Sequence, residues 1–375
     1  MSKLDELIAE LCPEGVEYKC LGKVCNVLRG KRLTKKELSE QYQYPVFHGG
    51  LIPLGKYKDY NRKANQTMVI NTGSVGEVVW SAVPFWSSDG TFTIETQGNI
   101  DNRFVYHFLK SQEPYLKSQK REGGVPTIDR DVIEKIQIPI PPLPIQQEIV
   151  RILDTFTELE AELEAELEAR KRQYEYYRDK LLTPVEHDGQ WLLNGKEVEY
   201  KNLGELSKIE TGKLNANAAV ENGEYLFFTT AKTISRINKY RWDTEAILIA
   251  GNANVGEVKH YKGKFDAYQR TYVLTQFSKM IKVRFLYFFL SSNLKQYLES
   301  RSNSAAMTYI VLSTLQDFPI PIPPLSEQER IVAILDRFDA LCNDLTSGLP
   351  AEIEARRKQY EYYRDKLLTF REAKA

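Results

Sequence analysis

Long apolar runs are absent from this 375-residue sequence. No stretch approaches the roughly 18 consecutive apolar residues that a membrane-spanning helix needs, and residues 1–12 lack the apolar core of a secretory signal peptide. The four cysteines, at positions 12, 20, 25 and 342, contain no Cys-x-x-Cys pair. We therefore expect reduced thiols, no zinc site, no membrane contact and a cytoplasmic location.

Motifs that mark enzymes of nucleotide chemistry are also missing. Every Gly-Lys pair is followed by a residue other than Ser or Thr, so there is no phosphate-binding P-loop. Neither Asn-Pro-Pro-Tyr nor Asp-Pro-Pro-Tyr occurs, although amino-methyltransferases use such motifs. The histidines at positions 48, 107, 187 and 260 lie too far apart for metal-ligand spacing. These absences favour a non-catalytic chain without a cofactor of its own.

Net charge is zero, with 51 basic and 51 acidic residues, which by itself argues against nucleic acid. The charges are unevenly distributed, however. Residues 1–144 carry 19 bases against 17 acids, and residues 184–326 carry 17 against 14. Residues 154–169 carry seven acids and no base. If the protein binds DNA, the two basic-leaning parts would make the contacts, because phosphate repels the acidic segment.

One segment, residues 139–183, has the pattern of a long helix. Its prolines end at Pro144, and neither Pro nor Gly recurs before Pro184. Apolar residues follow steps of mostly three and four, which places them in one stripe. The stripe consists of Ile145, Ile149, Ile152, Phe156, Leu159, Leu163, Leu167, Tyr174, Tyr177 and Leu181. A helix about 57 Å long with so narrow a stripe needs a partner of similar length.

The partner helix is in the same chain, because the sequence contains an internal repeat. The run P-I-P-P-L begins at residues 139 and 321, and the run Q-Y-E-Y-Y-R-D-K-L-L-T ends both helices. Residues 16–19 return as 198–201, and V-G-E-V occurs at 75–78 and at 255–258. The second helix carries four extra residues near Gly348 and Pro350, which predict a kink or a break there.

The duplicated layout, the start I-P-x-P-P-L-x-x-Q-x-x-I-V-x-I-L-D, the helix end and three tandem E-L-E-A units resemble the specificity subunit of Type I restriction-modification enzymes. The resemblance covers nearly the whole chain. It implies a non-catalytic subunit that recognises a bipartite, asymmetric site in double-stranded DNA, with one half-site for each domain. It also implies two methyltransferase subunits and restriction/translocase subunits as partners. S-adenosylmethionine, ATP and magnesium would then belong to those partners.

The expected fold class is α+β, with two similar mixed domains separated by a long antiparallel two-helix coiled coil. Residues 1–144 and 184–326 are the two target-recognition domains, and residues 145–183 and 327–375 are the two spacer helices. The second domain joins the end of one helix to the start of the other. A compact domain can do so only if the helices are antiparallel, because its radius of gyration is about 14 Å. The two copies of the repeat are then expected to be related by a pseudo-two-fold axis.

Short alternating runs rich in aromatic and β-branched residues predict strands in both domains. These strands are expected at residues 44–47, 67–70, 77–80, 91–94, 225–229, 246–249, 256–260 and 271–275. Helices are expected at residues 102–111, 114–120, 282–291 and 294–300.

DNA contacts are expected where the two copies differ and where bases lie among amide, hydroxyl and aromatic groups. In the first domain these candidates are His48, Lys56, Tyr57, Lys58, Tyr60, Asn61, Arg62, Lys63, Lys117, Lys120 and Arg121. In the second domain they are Thr229, Thr230, Lys232, Ser235, Arg236, Asn238, Lys239, Arg241, Arg301 and Asn303. A solvated surface is the alternative for any one of these residues.

The helices supply two further predictions. Tyrosines recur beside clustered Arg and Lys in both copies, which favours a partner interface, although a core between the two helices explains them equally well. These residues are Tyr174, Tyr176, Tyr177, Tyr360, Tyr362 and Tyr363. The E-L-E-A leucines, Leu159, Leu163 and Leu167, step by one helical turn and are expected to set the spacing between the half-sites.

One enzyme-like pattern gives an alternative function. Asp243 and the Glu257-x-Lys259 pair, on neighbouring predicted strands, could hold Mg²⁺ for phosphodiester hydrolysis. The pattern is short, and the equivalent of Lys259 in the first domain is Val79. A magnesium-dependent DNA nuclease is therefore the second hypothesis, and a coiled-coil adaptor between proteins is the third.

Overall fold

The chain divides into two compact units, and the division falls inside one continuous helix. Unit 1 consists of Met1–Glu164 and Glu352–Ala375, and unit 2 consists of Ala165–Ala351. A computed structural model describes residues 2–121, 125–301, 309–344 and 346–373. Within those residues, no helix is both long enough and apolar enough to cross a membrane.

Unit 1 mixes short strands with short helices. Its strands are β1 (Tyr18–Cys20), β2 (Cys25–Arg29), β3 (Tyr44–Phe47), β4 (Gly55–Tyr57), β5 (Gln66–Ile70), β6 (Val78–Ser81), β7 (Trp86–Ser87), β8 (Thr91–Thr96) and β9 (Gln137–Pro139). The helices up to the division are α1 (Lys3–Leu11), α2 (Leu21–Val24), α3 (Asn102–Ser111), α4 (Glu113–Ser118), α5 (Arg130–Glu134) and the long α6 (Leu143–Leu182).

Unit 2 repeats this mixture with longer strands. Its strands are β10 (Val185–His187), β11 (Gln190–Leu193), β12 (Lys196–Glu197), β13 (Glu199–Asn202), β14 (Lys208–Thr211), β15 (Tyr225–Phe228), β16 (Ser235–Ile237), β17 (Trp242–Ala250), β18 (Val258–Ala267), β19 (Thr271–Thr275) and β20 (Pro319–Ile322). The remaining helices are α7 (Leu203–Leu206), α8 (Val283–Ser300), α9 (Leu312–Gln316), α10 (Leu325–Asn343) and α11 (Leu349–Leu367), of which α11 lies mostly in unit 1.

The core of unit 1 forms where an antiparallel sheet, in the order β2-β8-β5-β6, packs against α3. Every residue of β5 is buried. Asp101 begins α3, because its carboxylate accepts hydrogen bonds from the backbone amides of Arg103 and Phe104. A second sheet, in the order β4-β3-β7, carries the β3–β4 hairpin, and β3 pairs with β7 in parallel.

Six strands of unit 2 form one sheet, in the order β14-β19-β17-β18-β15-β16, and β13 pairs separately with β20. Strand β15 pairs in parallel with β18 and antiparallel with β16, so the β15–β16 hairpin repeats the β3–β4 hairpin. A strand is confirmed within each of the eight predicted ranges, although residues 77, 229, 256 and 257 lie outside the strands, and β17 and β18 extend beyond their predicted ends.

The prediction of two helices at residues 282–291 and 294–300 is wrong, because both belong to α8. The polar residues Ser292 and Asn293 interrupt the apolar pattern, yet the side chain of Asn293 donates to the carbonyl of Phe289 at 3.1 Å. That bond satisfies the amide within the helix. Leu294 and Leu298 then continue the buried stripe.

A three-stranded meander, β10-β11-β12, opens unit 2 and was not predicted. Its two turns are Asp188-Gly189 and Asn194-Gly195, and all four residues have positive φ angles. Asp-Gly and Asn-Gly are the preferred residues of such two-residue hairpin turns. The signal was therefore present in the sequence.

In unit 1 the first half of α6 packs on the core and against α11. The fully buried apolar residues of this half are Ile145, Ile149 and Leu153. Burying each such side chain contributes about 1.5–3 kcal/mol. Phe156 stacks on Tyr363 at 5.4 Å, and farther along α6 Glu160 forms a 2.9 Å ion pair with Arg357. The partners run backward along α11, so the two helices are antiparallel.

In unit 2 the second half of α6 packs against α10 in the same way. The rings of Tyr174 and Tyr177 lie 6.0 and 5.7 Å from the ring of Phe338. Both helices then enter the core of this unit, through the buried residues Leu181, Leu182, Ile331 and Leu335. The antiparallel pairing expected from the sequence is thus present within each unit.

The helix break that Gly348 and Pro350 predict is confirmed, because α10 and α11 are separate helices. A Cβ atom at Gly348 would lie 2.6 Å from the carbonyl oxygen of Ala340, so the tight turn requires glycine. Asp344 stabilises the turn, since its carboxylate accepts a 2.5 Å hydrogen bond from the Ser347 hydroxyl. This bond is the main reason that the pKa of Asp344 falls to about 2.

In each unit, the segment that follows a spacer helix pairs with the start of the domain. In unit 1 the backbone amide of Val16 donates to the carbonyl of Arg371 at 2.9 Å. In unit 2 the amide of Val198, the equivalent residue of the repeat, donates to the carbonyl of Trp191 at 2.9 Å. The C-terminal residues therefore complete the first unit, although they are distant from it in sequence.

A buried histidine ties α3 to both helices in unit 1. His107 is fully buried, and its Nε2 and Nδ1 atoms lie 2.8 Å from Asp154 Oδ1 and 3.0 Å from the Tyr360 hydroxyl. Burial lowers the pKa of His107 below its usual value of 6.5, against the opposing effect of Asp154. The neutral ring then donates to the carboxylate and accepts from the tyrosine hydroxyl. Unit 2 has Phe288 at the equivalent position.

We predict that His107→Phe destabilises the packing of α3 against α11 by about 1–3 kcal/mol, because the Tyr360 hydroxyl is left buried without its partner. Tyr360→Phe removes the same bond from the other side. The double variant should therefore cost less than the sum of the two single changes. Hydrogen exchange of the α3 and α11 amides measures this, and strictly additive effects would show that the bond does not couple these helices.

Candidate nucleic-acid interface

The two predicted DNA-contact segments form the same hairpin in both units. Residues 41–66 include β3 and β4, and residues 229–241 include β16 and follow β15. The hairpin loops are residues 48–54 in unit 1 and 229–234 in unit 2. Each segment carries four bases, against one acid in the first and none in the second. The hairpins are therefore the basic parts of two units whose overall charge is close to balanced.

Most of the bases of the first hairpin are accessible. Lys56, Lys58 and Lys63 are exposed, and Lys58 and Lys63 have no ion pair within the described part of the chain. Tyr60 is also exposed and packs on the Tyr44 ring at 4.9 Å. These side chains are free to contact a phosphate backbone or base edges.

Other candidates of this hairpin have structural roles. The side chain of Asn61 donates to the backbone carbonyl of Ser87 at 3.0 Å and accepts from the amide of the same residue at 2.7 Å. Arg62 donates to the carbonyl of Asn61 at 2.7 Å, and Tyr57 packs edge-on against Trp86. These contacts hold the hairpin in place, and DNA contact by the half-buried Asn61 and Arg62 stays a prediction.

His48 lies at the start of the hairpin loop and is half-buried. Its Nδ1 atom lies 3.2 Å from the Ser88 hydroxyl and 3.3 Å from the Asp89 carboxylate. One ring nitrogen therefore faces polar groups of its own unit.

Two of the three candidates in the last turn of α4 and just after it are paired with carboxylates. Lys117 forms a 2.7 Å ion pair with Glu77 and lies 3.9 Å from Glu113. Arg121 is paired with Asp129. Lys120 is exposed and is the stronger candidate for a phosphate contact.

The second hairpin exposes polar and basic side chains along its length. The exposed candidates are Lys232, Arg236, Asn238, Lys239 and Arg241, and Thr229 and Ser235 are half-buried. Thr230 is buried, so its side chain is removed from the predicted contacts. Arg236 donates to the carbonyl of Gly223 at 3.0 Å, and Arg241 lies over the Trp242 ring at 4.6 Å.

Two candidates lie near the end of α8. Arg301 packs over the Tyr297 ring at 4.9 Å, and its side chain is exposed. Asn303 lies outside the residues that the structure describes.

The loops of the V-G-E-V repeat hold both hairpins, and sequence reasoning missed this role. In unit 1 the amide of Ser74 donates to the carbonyl of Gly49 at 2.8 Å. A Cβ atom at Gly73, which has a φ of +93°, would lie 2.3 Å from that carbonyl oxygen. In unit 2 the side chain of Asn254 donates to the carbonyl of Thr230 at 2.7 Å. The recurrence of V-G-E-V was the available signal.

The nuclease alternative is not supported, because its three residues do not converge. Asp243 pairs with Lys264 in the β17–β18 ladder, whereas Lys259 pairs with Leu248. Lys264, the residue opposite Asp243, is five residues from Lys259 on β18, so Asp243 and Lys259 are separated by about 17 Å along the strand direction. Lys259 instead forms a 3.1 Å ion pair with Glu257. Across the described ranges, no group of His, Cys, Asp and Glu could hold a metal ion.

The helix tyrosines fall into two classes. Tyr360 is only 7% exposed, so its prediction as a partner contact is wrong and the core alternative holds for it. Tyr174 is half-buried against α10, and burial raises the pKa of its hydroxyl. By contrast, Tyr176 and Tyr362 are 61% and 62% exposed. Tyr177 and Tyr363 lie between these extremes.

The E-L-E-A leucines are only lightly packed. Leu159 is 39% exposed, and Leu163 and Leu167 are half-buried. The segment is an uninterrupted part of α6, and the division between the units falls within it.

Comparison with known proteins agrees with this arrangement. The family model described as the Type I restriction modification DNA specificity domain matches residues 13–169 and again residues 195–355. The chain belongs to this family. The type I restriction enzyme EcoR124I/EcoR124II specificity subunit of Escherichia coli is 32% identical over 416 residues, covering 99% of this chain and 98% of that protein. The MpnII specificity subunit of Mycoplasma pneumoniae is 29% identical over 310 residues, covering 66% of this chain and 92% of that protein.

Solved structures share the fold. The crystal structure of a Type I restriction-modification S subunit from M. genitalium matches with a TM-score of 0.65 and 18% identity, over 94% of this chain and 96% of that one. A structure concerned with complex assembly and conformational transition of the type I R-M system matches with a TM-score of 0.55 and 20% identity, over 96% of this chain and 98% of that one. Both units thus have the fold of DNA-specificity subunits.

We predict that Lys58→Ala reduces the salt dependence of DNA binding more than Lys117→Ala. Lys58 is exposed and has no ion-pair partner among the described residues, so it can release about one counterion from DNA. Lys117 is already neutralised by Glu77. With the partner subunits present, the slope of log affinity against log salt should fall by about 0.9 for Lys58→Ala and hardly change for Lys117→Ala. The reverse order would contradict the assignment of the first hairpin.

Proposed function

We propose that this chain is the non-catalytic DNA-specificity subunit of a Type I restriction-modification complex. It recognises a bipartite, asymmetric site in double-stranded DNA, and each unit reads one half-site. The observation that carries the proposal is a basic hairpin that occurs at the equivalent position in both units. Its side chains differ between the two units. Such a role belongs in the cytoplasm, where the DNA and the partner subunits are.

Different side chains on the same hairpin favour two different half-sites. The first hairpin exposes Lys56, Lys58, Tyr60 and Lys63, whereas residues 229–241 of the second expose a larger share of arginine and asparagine. Lysine and arginine both contact phosphate and can pair with guanine, whereas asparagine pairs with adenine, so hairpins with different side chains favour different bases. An asymmetric site follows from this difference.

Two methyltransferase subunits and the restriction/translocase subunits are the proposed partners. The support is family membership and the exposed tyrosines Tyr176 and Tyr362, which occupy equivalent positions in the two halves of the repeat. S-adenosylmethionine, ATP and magnesium are assigned to those partners.

The proposal is tested by mapping methylation on DNA modified by the complete complex. It predicts one asymmetric site with two defined parts and an undefined spacer. The purified chain alone, incubated with Mg²⁺ and plasmid, should leave the plasmid intact. Methylation without a defined sequence, or cleavage by the chain alone, would contradict the proposal.

We predict that Tyr176→Ala and Tyr362→Ala weaken the binding of methyltransferase subunits about tenfold or more, because exposed aromatic side chains commonly dominate such interfaces. The chain should keep its fold, since both rings are more than half exposed. Analytical ultracentrifugation of the complex measures the effect. Tyr115→Ala, at a tyrosine that is 44% exposed on α4, is the matched control. Unchanged assembly in both variants would remove the tyrosines from the interface.

The E-L-E-A units are proposed to set the spacer. Each four-residue E-L-E-A repeat adds about 6 Å to the length of α6, which corresponds to one or two base pairs of about 3.4 Å. Leu159, Leu163 and Leu167 contribute little to either core, so the length of the segment can change without loss of folding. The acids keep this part of α6 away from phosphate.

Deleting residues 162–165 should therefore keep both half-site sequences and shorten the preferred spacer by about one or two base pairs. Methylation mapping of the deletion variant measures both quantities. The same spacer with full activity would show that the repeat is simply a good helix former.

A further inference from the structure

The loop of the first hairpin ends in an exposed apolar tip. Ile52 is 80% exposed and Leu51 is 51% exposed, which makes Ile52 the most exposed large apolar side chain among the residues that the structure describes. The tip carries no charge and lies between Gly50 and Pro53. Neighbouring large apolar residues at such exposure are unusual in a part of the chain that otherwise presents polar groups.

The root of this loop is fixed by backbone hydrogen bonds. On one side the carbonyl of Gly49 accepts from the amide of Ser74 at 2.8 Å, and on the other the amide of Leu54 donates to the carbonyl of Val46 at 2.8 Å. The tip is therefore presented on a braced hairpin. A braced loop loses less conformational entropy when it binds than a free one.

The surrounding charges identify the occupant as DNA. Residues 41–66 carry four bases and one acid, and Lys56 and Lys58 follow the tip directly on the hairpin. Duplex DNA combines an outer row of phosphates with apolar base faces between the steps. An apolar tip beside cations matches that combination, and isoleucine and leucine are among the side chains that proteins insert between base steps.

The second hairpin repeats the feature. Ile234 lies in the equivalent loop and is 46% exposed, and residues 229–241 carry four bases and no acid. Two loops of different sequence thus share a basic hairpin with an exposed isoleucine, although Ile234 lies at the end of its loop, directly before β16. The tip of the first unit is the larger and the more exposed of the two.

We propose that Leu51 and Ile52 form an apolar wedge that enters between two base pairs of the first half-site and kinks the duplex there. The proposal rests on the proposed function and extends it, because part of the specificity then comes from how readily the DNA deforms at that step. Ile234 makes a shallower contact of the same kind in the second half-site.

The test compares Ile52→Ser with Ile52→Leu in the complete complex, on duplexes with fluorophores at both ends. Ile52→Ser should relax the bend and lower the affinity about tenfold, the effect expected when one anchor side chain is lost. Ile52→Leu keeps an apolar side chain and should keep most of the bend. DNA with a single mismatch at the kinked step should restore binding of Ile52→Ser, because the unstacking cost is already removed.

Other outcomes would overturn the proposal. An unchanged bend in Ile52→Ser would show that the tip does not deform DNA, even if its affinity fell. A loss of subunit assembly, with DNA binding intact, would assign the tip to a protein partner. Lys58→Ala distinguishes the loss of a positive charge from the loss of the apolar tip, because it should weaken DNA binding and leave the DNA bend unchanged. Failure of the unaltered complex to prefer any DNA sequence would instead contradict the proposed function.

Discussion

The burial of one long helix, α6, is the constraint on which both units depend. Its first half supplies Ile145 and Ile149 to the core of unit 1, and its second half supplies Leu182 to the core of unit 2. Neither half can cover its own apolar stripe, so each requires a second, antiparallel helix. The chain provides α11 and α10 for this purpose. The C-terminal residues therefore belong to the first unit.

Features that repeat in the sequence were predictable, and features that depend on a single tertiary contact were not. The stripe of α6, the break at Gly348 and the main strands follow from periodicity and from glycine and proline placement. The bond of His107 to Tyr360 joins residues 253 positions apart, and nothing in either local sequence indicates it. The bonds of Asn61 to the backbone of Ser87 were equally unpredictable, because sequence patterns do not reveal which segments become neighbours in the fold.

Within each unit, the loops that support the hairpin are separate from the hairpin side chains that are proposed to contact DNA. The V-G-E-V loops hold the hairpins through main-chain carbonyls, so the side chains of the hairpins can vary without loss of the fold. The charged residues divide in the same way. Lys117 and Arg121 are paired with carboxylates of their own unit, whereas Lys58 and Lys63 remain unpaired within the described residues. This separation explains how one scaffold can present two different reading surfaces.

The central claim is that each unit reads its own half of a DNA site. The most direct measurement replaces residues 41–66 with the corresponding segment of a family member of different specificity and maps methylation by the complete complex. A new sequence is expected in one half-site, with the other half-site and the spacer unchanged. A change in both half-sites, or in neither, would contradict it.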